Sequence, residues 1–245
     1  MEARYEYQMP LGVSRCDLEM KLGVADVFSV FMDAAAVHAE LLGLGADAMF
    51  ARGLFWLTVK TKVEILERPR LLETLTVKTR PIRPEKVRSI REYRLERDGQ
   101  LLIRGKTEWA VIVTASGRIH PMGDVFPAGV EMAPAAEYDA PFARISPDFS
   151  DAGVLGAYTV RSTDIDLGGH MNNAAYLRAV LGLLDSRALK ALPQREIDVI
   201  FRAPCFEGEE LTVLRRVTDT GWDICVRKPD GSTALLIRAA GDKEK

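Results

Sequence analysis

The sequence has few of the residues that build disulfides and metal sites. Three cysteines and three histidines occur among its 245 residues. Because Cys16, Cys205 and Cys225 show no C-x-x-C spacing, we expect neither a disulfide nor a structural zinc site, and we predict a reducing cytoplasm as the location. The histidines are far apart in the sequence, so no metal site is predicted.

Long apolar runs and an excess of one charge are also missing. No run approaches the roughly 20 apolar residues of a membrane span, and the first eight residues lack the apolar core of a signal peptide. The formal net charge is −2, which gives no overall attraction to nucleic acid or anionic lipid. With 47% apolar residues, the chain is expected to be globular, without a membrane span or a nucleic-acid partner.

The first half of the chain is predicted to contain a strand, one helix and then a run of four strands. A helix is expected over residues 24–42, since apolar residues recur along one side and Gly43 and Gly45 follow it. Segments rich in β-branched and aromatic residues predict the strands, with a hairpin turn at Asp98-Gly99. Strands are predicted at residues 3–16, 55–66, 73–80, 87–96 and 101–113.

The second half of the chain repeats the first. Asp164-Ile-Asp166 matches Asp17-Leu-Glu19 at an offset of 147 residues, which places Glu19 opposite Asp166 and Gly23 opposite His170. Only the second copy is therefore expected to carry a chemical site. A repeat this long indicates a domain duplication.

The segment between the two copies differs from both of them in composition. Residues 119–152 are rich in proline, alanine and glycine and predict a linker. The predicted domains are therefore residues 1–118 and 153–245.

The most unusual segment is Asp164-Ile-Asp-Leu-Gly-Gly-His-Met-Asn-Asn173. A helical pattern begins directly after it, so the segment predicts a tight loop at a helix N-terminus, where N–H groups without helical partners and a positive dipole end are available. Asn172 or Asn173 can cap that helix, and Gly168 and Gly169 allow a sharp turn.

This loop resembles the active-site loop of hot-dog-fold thioesterases, which hydrolyse acyl thioesters of coenzyme A or acyl carrier protein. The duplication narrows the resemblance to the acyl-acyl-carrier-protein thioesterase family, and three weaker matches occur in the family's order. They are His38-Ala-Glu-Leu-Leu-Gly43, Leu54-Phe-Trp-Leu57 and Thr107-Glu-Trp109. The resemblance implies an α+β fold with two tandem hot-dog domains, each an antiparallel sheet wrapped around a central helix.

The resemblance also implies catalytic roles for four residues. Asp166 matches the family's general base or nucleophile, although a turn carboxylate that stabilises the helix start is the alternative. His170 would orient a water or assist proton transfer, or else be held in the loop by backbone hydrogen bonds. Asn173 lies where these enzymes offer a backbone N–H to the thioester carbonyl. Cys205 matches a family cysteine, but a small buried apolar residue is the commoner role.

Five further residues are predicted to bind substrate. Gly169 and Asn172 belong to the loop, and Phe31 and Ala35 lie on the first helix, where small residues either let the sheet approach or leave room for an acyl chain. Trp56 is expected to pack on that helix or to line an acyl tunnel. The first domain is thus expected to provide the tunnel and no catalytic loop.

Two positions depart from the plant-type members of the family, which have asparagine in place of Gly168 and glutamate in place of Pro204. Other hot-dog thioesterases carry glycine at the first position and work from the aspartate and the helix N-terminus alone. The first change therefore favours a simpler mechanism centred on Asp166. The second removes a water-activating carboxylate.

These observations predict a thioesterase of fatty acid biosynthesis that needs no cofactor and acts on acyl carrier protein conjugates as a monomer or homodimer. An acyl-CoA thioesterase of the 4-hydroxybenzoyl-CoA type is the second hypothesis, and a catalytically silent acyl-binding module is the third. Residues 78–97 carry eight cations against three anions, which predicts either a solvated strand face or a dock for an acidic carrier protein.

Overall fold

Each half of the chain contains a run of antiparallel strands and one main helix. The computed structural model describes residues 3–241, and the chain divides into two units between Pro141 and Phe142. The first unit contains β1 (Tyr5–Pro10), α1 (Val24–Leu41), α2 (Ala46–Ala51), β2 (Leu54–Ile65), β3 (Thr74–Pro81), β4 (Ser89–Arg97), β5 (Gln100–Val113) and β6 (Ile119–His120). The second contains β7 (Gly153–Thr159), α3 (Asn173–Leu181), α4 (Ser186–Lys190), β8 (Glu196–Phe201), β9 (Glu210–Thr218), β10 (Gly221–Arg227) and β11 (Thr233–Ala240).

The two units share one strand order. In the first unit, neighbouring strands follow the order β1, β3, β4, β5, β2, with the short β6 also paired to β5. In the second, the order is β7, β9, β10, β11, β8. Apart from β6, each strand of the first unit has a counterpart in the second, as the repeated sequence pattern predicts.

A close approach between helix and sheet forms the core of the first unit. Phe31 of α1 is fully buried and stacks on Tyr93 of β4, with ring centroids 4.6 Å apart. Gly105 makes this possible, because a Cβ atom there would lie 2.6 Å from Phe31 Cε2 and 2.8 Å from the Lys62 carbonyl oxygen. The glycine therefore sets how near β5 can come to the helix.

The Asp-Gly pairs of the two units form different turns. Asp98 and Gly99 both have positive φ angles, +51° and +80°, as a two-residue type I′ turn requires. Asp230-Gly231 lies in the longer connection 228–232, where only Gly231 has a positive φ and its N–H donates to the Lys228 carbonyl at 2.9 Å. Pro229 explains the difference, since its fixed φ suits the first central position of this turn and it has no N–H for the strand ladder.

The predicted linker, residues 119–152, is divided between the two units. β6 pairs with β5, and the Tyr138 N–H donates to the Glu92 carboxylate at 2.6 Å, so the segment before the boundary attaches to the first unit. After the boundary, the Ala143 N–H donates to Asp198 at 2.9 Å. Within residues 3–241, no helix is long and apolar enough to cross a membrane.

We expect Gly105→Ala to destabilise the protein by about 1–3 kcal/mol, because the added methyl group collides with Phe31 and with the β2 backbone. Gly153→Ala is the matched control: it also lies in a strand, and its added methyl group would meet nothing within 4 Å. Urea unfolding of both variants measures the difference. Equal midpoints for the two variants would contradict the proposed close approach.

Candidate active site

The loop between β7 and α3 is closed by backbone hydrogen bonds. The Asp166 N–H donates to the His170 carbonyl at 3.1 Å, and the Gly169 N–H donates to the Asp166 carbonyl at 2.9 Å. Gly169 has a φ of +74°, a conformation in which glycine carries no steric cost. Asp166 and His170 therefore stand at the two ends of one tight turn.

One oxygen of the Asp166 side chain is hydrogen-bonded within its own loop. Its Oδ1 accepts a hydrogen bond from the Gly168 N–H at 2.8 Å, which fixes the carboxylate in position. Among residues 3–241, no cation forms an ion pair with it. Asp166 thus has the turn-stabilising role that was the alternative to catalysis, and its second oxygen remains suited to accept a proton.

The start of α3 adjoins the same turn. Asn172 is the residue that caps the helix, since its Oδ1 accepts from the Ala174 N–H at 2.8 Å. Asn173 is the first residue of α3, so its peptide lies at the positive end of the helix dipole. The His170 imidazole is half-buried, with Nδ1 3.4 Å from the Met171 carbonyl oxygen.

Cys205 supports the loop through its backbone. Its carbonyl accepts from the Met171 N–H at 2.8 Å, and its N–H donates to the Tyr176 hydroxyl at 3.0 Å. The side chain is fully buried, and burial raises the pKa of the thiol. A protonated, inaccessible thiol is a poor nucleophile, so this environment favours the structural interpretation of Cys205. Sequence reasoning missed Tyr176 as its anchor.

The first unit contains a loop with the same backbone hydrogen bonds. The Asp17 N–H donates to the Lys21 carbonyl at 2.8 Å, and the Met20 N–H donates to the Asp17 carbonyl at 3.0 Å. Asp17 Oδ1 accepts from the Glu19 N–H at 2.9 Å, as Asp166 Oδ1 does from Gly168. This register places Asp17, not Glu19, opposite Asp166.

The predicted alignment of the two copies is therefore wrong by two residues. The true offset at this loop is 149, and Lys21 rather than Gly23 lies opposite His170. The error arose because both copies carry carboxylates two positions apart, so the wrong offset pairs two carboxylates whereas the true offset pairs only one. Only the hydrogen-bond pattern distinguishes them.

The matching carboxylate in the first unit is held by Arg68. This arginine forms an ion pair with Asp17, contacts Glu19 at 3.3 Å, and donates from Nε to the Leu22 carbonyl at 2.9 Å. Burial alone would raise the pKa of Asp17, but the hydrogen bonds and charge of Arg68, with the N–H groups of Glu19 and Lys21, lower it overall. The Leu22 N–H donates to the Pro69 carbonyl as the Met171 N–H does to that of Cys205, which places Pro204 opposite Arg68, so Asp166 lacks this partner.

The three predicted tunnel residues lie in the first unit. Phe31 and Ala35 are buried on α1, with Phe31 packed in the core. Trp56 is half-buried: its Nε1 donates to the Leu44 carbonyl at 3.0 Å, and its ring contacts Trp109 and Phe126 edge-on. The four predicted catalytic residues, Gly169 and Asn172 all lie in the second unit.

The basic segment 78–97 is largely neutralised within the first unit. Lys78 and Arg94 contact Glu96 at 2.7 and 2.8 Å, and Arg80 contacts Glu92 at 2.9 Å. These pairs favour the solvated strand face over a docking surface. Within the described part of the chain, no group of three or more His, Cys, Asp or Glu side chains is placed to bind a metal.

The family of this chain follows from its match to two family models. Residues 2–129 match the acyl-ACP (acyl-acyl-carrier-protein) thioesterase N-terminal domain, and residues 150–244 match the acyl-ACP thioesterase C-terminal domain. The chain belongs to the acyl-ACP thioesterase family, which confirms the resemblance predicted from the sequence.

Curated relatives of the chain come from plants. It is 23% identical over 195 residues to the chloroplastic acyl-(acyl-carrier-protein) hydrolase FATB3 of Cuphea viscosissima, covering 74% of this chain and 47% of the relative. It is 21% identical over 212 residues to the chloroplastic palmitoyl-acyl carrier protein thioesterase of Cuphea hookeriana, covering 81% and 51%. The chain thus spans about half the length of the curated relatives it matches.

Solved structures confirm the fold. An acyl-ACP thioesterase from Bacteroides thetaiotaomicron superposes with a TM-score of 0.85 at 18% identity, covering 97% of each chain. The 12:0-ACP thioesterase from Umbellularia californica gives 0.83 at 17% identity, covering 97% of this chain and 96% of that one. The predicted architecture of two tandem hot-dog domains is therefore correct.

The ion pair at Asp17 generates a prediction about stability and pH. A carboxyl group whose pKa is lowered in the folded state stabilises the protein above its unfolded pKa, and this contribution is lost as the pH falls through the folded pKa. Asp17→Asn should therefore cost about 1 kcal/mol at neutral pH, a value limited by the partial exposure of the pair.

Urea unfolding of wild type and Asp17→Asn at pH 7 and well below pH 4, under the lowered pKa of Asp17, measures this difference. The two proteins should converge in stability at the lower pH. An unchanged difference at both pH values would show that the carboxylate charge is not what stabilises the loop.

Proposed function

We propose that this protein hydrolyses fatty acyl-ACP thioesters to a free fatty acid and the carrier thiol. Membership of the acyl-ACP thioesterase family supports the substrate class. The observation that carries the chemistry is the difference between the two loops: Asp166 has no ion-pair partner among residues 3–241, whereas Asp17 is bound by Arg68.

Asp166 acts on the attacking water in this proposal. Its Oδ1 is held by the Gly168 N–H, while Oδ2 accepts a proton from water as the water oxygen bonds to the thioester carbon. The tetrahedral intermediate then collapses, the C–S bond breaks, and the proton passes to the leaving thiolate. Direct attack by the Asp166 carboxylate is the alternative route to the same products, with water hydrolysing the resulting anhydride.

The start of α3 stabilises the developing oxyanion. The Asn173 peptide N–H lies at the helix N-terminus, where the dipole favours negative charge. Loss of such a donor typically costs about 10²–10³ in rate. His170, at the other end of the turn from Asp166, orients the water or assists the proton transfer. Cys205 has a structural role, because its backbone is hydrogen-bonded both to the loop at Met171 and to the Tyr176 hydroxyl.

The substrate-binding residues and the location complete this proposal. Gly169 and Asn172 border the reacting group, and Phe31, Ala35 and Trp56 of the first unit belong to the walls of the acyl site.

The three cysteines are free thiols, in keeping with the proposed cytoplasmic location. The proposed active species is a monomer or a homodimer.

Asp166→Asn tests the catalytic assignment, with Asp17→Asn as its matched control. The asparagine keeps an acceptor for the Gly168 N–H but is a far weaker base, so kcat should fall by about 10²–10⁴. Asp17→Asn should leave kcat within about twofold, since that carboxylate is bound by Arg68. Thiol release from palmitoyl-ACP measures both variants.

Thiol release from a range of acyl lengths on both ACP and CoA decides between the remaining hypotheses. Faster turnover on ACP conjugates is the expected result. Preference for acyl-CoA would instead favour the 4-hydroxybenzoyl-CoA type, to which the Gly168-Gly169 turn is similar. Binding of acyl chains without thiol release would indicate a silent acyl-binding module.

A further inference from the structure

The interior of the first unit contains a polar region that the proposed chemistry does not use. Ser89, Arg91 and Tyr93 alternate along β4, so they point to the same side of the sheet. Their partners across the ladder in β5 are Trp109, Thr107 and Gly105. Since Tyr93 stacks on Phe31 of α1, this side is the one that faces the helix. Five polar or aromatic side chains thus lie where a core is normally apolar.

Arg91 is a buried cation that has no carboxylate partner among the residues that the structure describes. Only 7% of its surface is exposed, and its Nη1 lies 2.9 Å from His38 Nδ1 and 3.3 Å from Thr79 Oγ1. Burial and the charge of Arg91 lower the pKa of His38 to about 4, so at neutral pH the imidazole accepts a hydrogen bond and carries no charge. Between Ala3 and Gly241, no acidic side chain forms an ion pair with Arg91.

Two further donors beside Arg91 are poorly satisfied. The Tyr93 hydroxyl and the Trp109 indole N–H are both buried, and in the described part of the chain neither makes a hydrogen bond of normal length and angle, although the Tyr93 hydroxyl lies near both Thr107 and Trp109. By contrast, the neighbouring Thr61 and Thr107 hydroxyls satisfy each other at 3.1 Å. Buried polar groups are normally paired, and each exception requires an explanation.

The helix opposite these donors carries little side-chain bulk. Ala34 and Ala35 precede His38 by four and three residues and are buried on the same side of α1. Apolar surface continues beside the donors through Phe31 and Leu95. The region therefore combines three hydrogen-bond donors, one of them positively charged, with an apolar border.

We propose that this region binds the carboxylate of an alkyl-chain ligand, with Arg91, Tyr93 and Trp109 as donors. A carboxylate would give Arg91 an oppositely charged partner. Its oxygens would also accept hydrogen bonds from the Tyr93 hydroxyl and the Trp109 indole N–H. A free fatty acid and an acyl chain with a second carboxylate at its far end share this chemistry. The site goes beyond the proposed hydrolysis, because carboxylate binding does not require Asp166.

Direct binding tests the site without turnover. Decanoate titrated into the full chain, followed by calorimetry and by the rise in Tm, should bind, and methyl decanoate should bind at least about tenfold more weakly because it has lost its charge. Asp166→Asn should bind decanoate as wild type does, which separates this site from the hydrolytic one.

Two variants and one control assign the donors. Arg91→Met and Tyr93→Phe should each weaken decanoate binding by about tenfold or more. Without ligand, both should melt at or above the wild-type Tm, because each removes a buried polar group that is not fully paired. Arg94→Met is the control: Arg94 lies on the opposite face of β4 with its side chain 42% exposed, so binding should not change.

Turnover of two thioesters separates the two sources of the carboxylate. If Arg91→Met lowers kcat/KM for a decanedioyl thioester but not for a decanoyl thioester, the site recognises the far end of a substrate. If both rates persist while decanoate binding is lost, the ligand is the free fatty acid. The proposal is overturned if decanoate and its methyl ester bind alike, or if Arg91→Met and Tyr93→Phe lower the Tm and leave binding intact.

Discussion

The hydrogen bond from the Asp166 N–H to the His170 carbonyl is the constraint on which the candidate site depends. It closes the loop so that a carboxylate, an imidazole and the first turn of a helix are held within a few residues of one another. The bond from Met171 to the Cys205 carbonyl then joins this loop to the start of the segment before β9. A change in either bond would displace every group proposed to act on the thioester.

The duplicated loop shows that the backbone alone does not make a hydrolytic site. Both units form the same hydrogen bonds, and both place an aspartate at the same position. What differs is the electrostatic environment: Arg68 neutralises Asp17, and Pro204 occupies the corresponding place in the second unit. The two loops are thus alike in structure, but among the described residues only the aspartate of the first loop has an ion-pair partner.

Sequence patterns predicted much of the fold because they are local. The helical periodicity of residues 24–42 and the Asp98-Gly99 turn depend on neighbouring residues, and both were correct. The six-residue helix α2 and the five-residue helix α4 are too short to show a period and were not predicted. The partners of Asp17 and Arg91 could not be predicted, because they come from residues 51 and 53 positions away and depend on how the strands pack against the helix.

The backbone conformation of Met20 shows that the turn at Gly169 does not require glycine. Methionine adopts a φ of +57° in the first loop, and glycine adopts +74° at the matching place in the second. The turn geometry is therefore attainable with a long side chain, and glycine in the second loop is not explained by backbone geometry alone. A Cβ atom at Gly169 would meet nothing within 4 Å, so the second loop leaves open a space that the first loop gives to a methionine side chain.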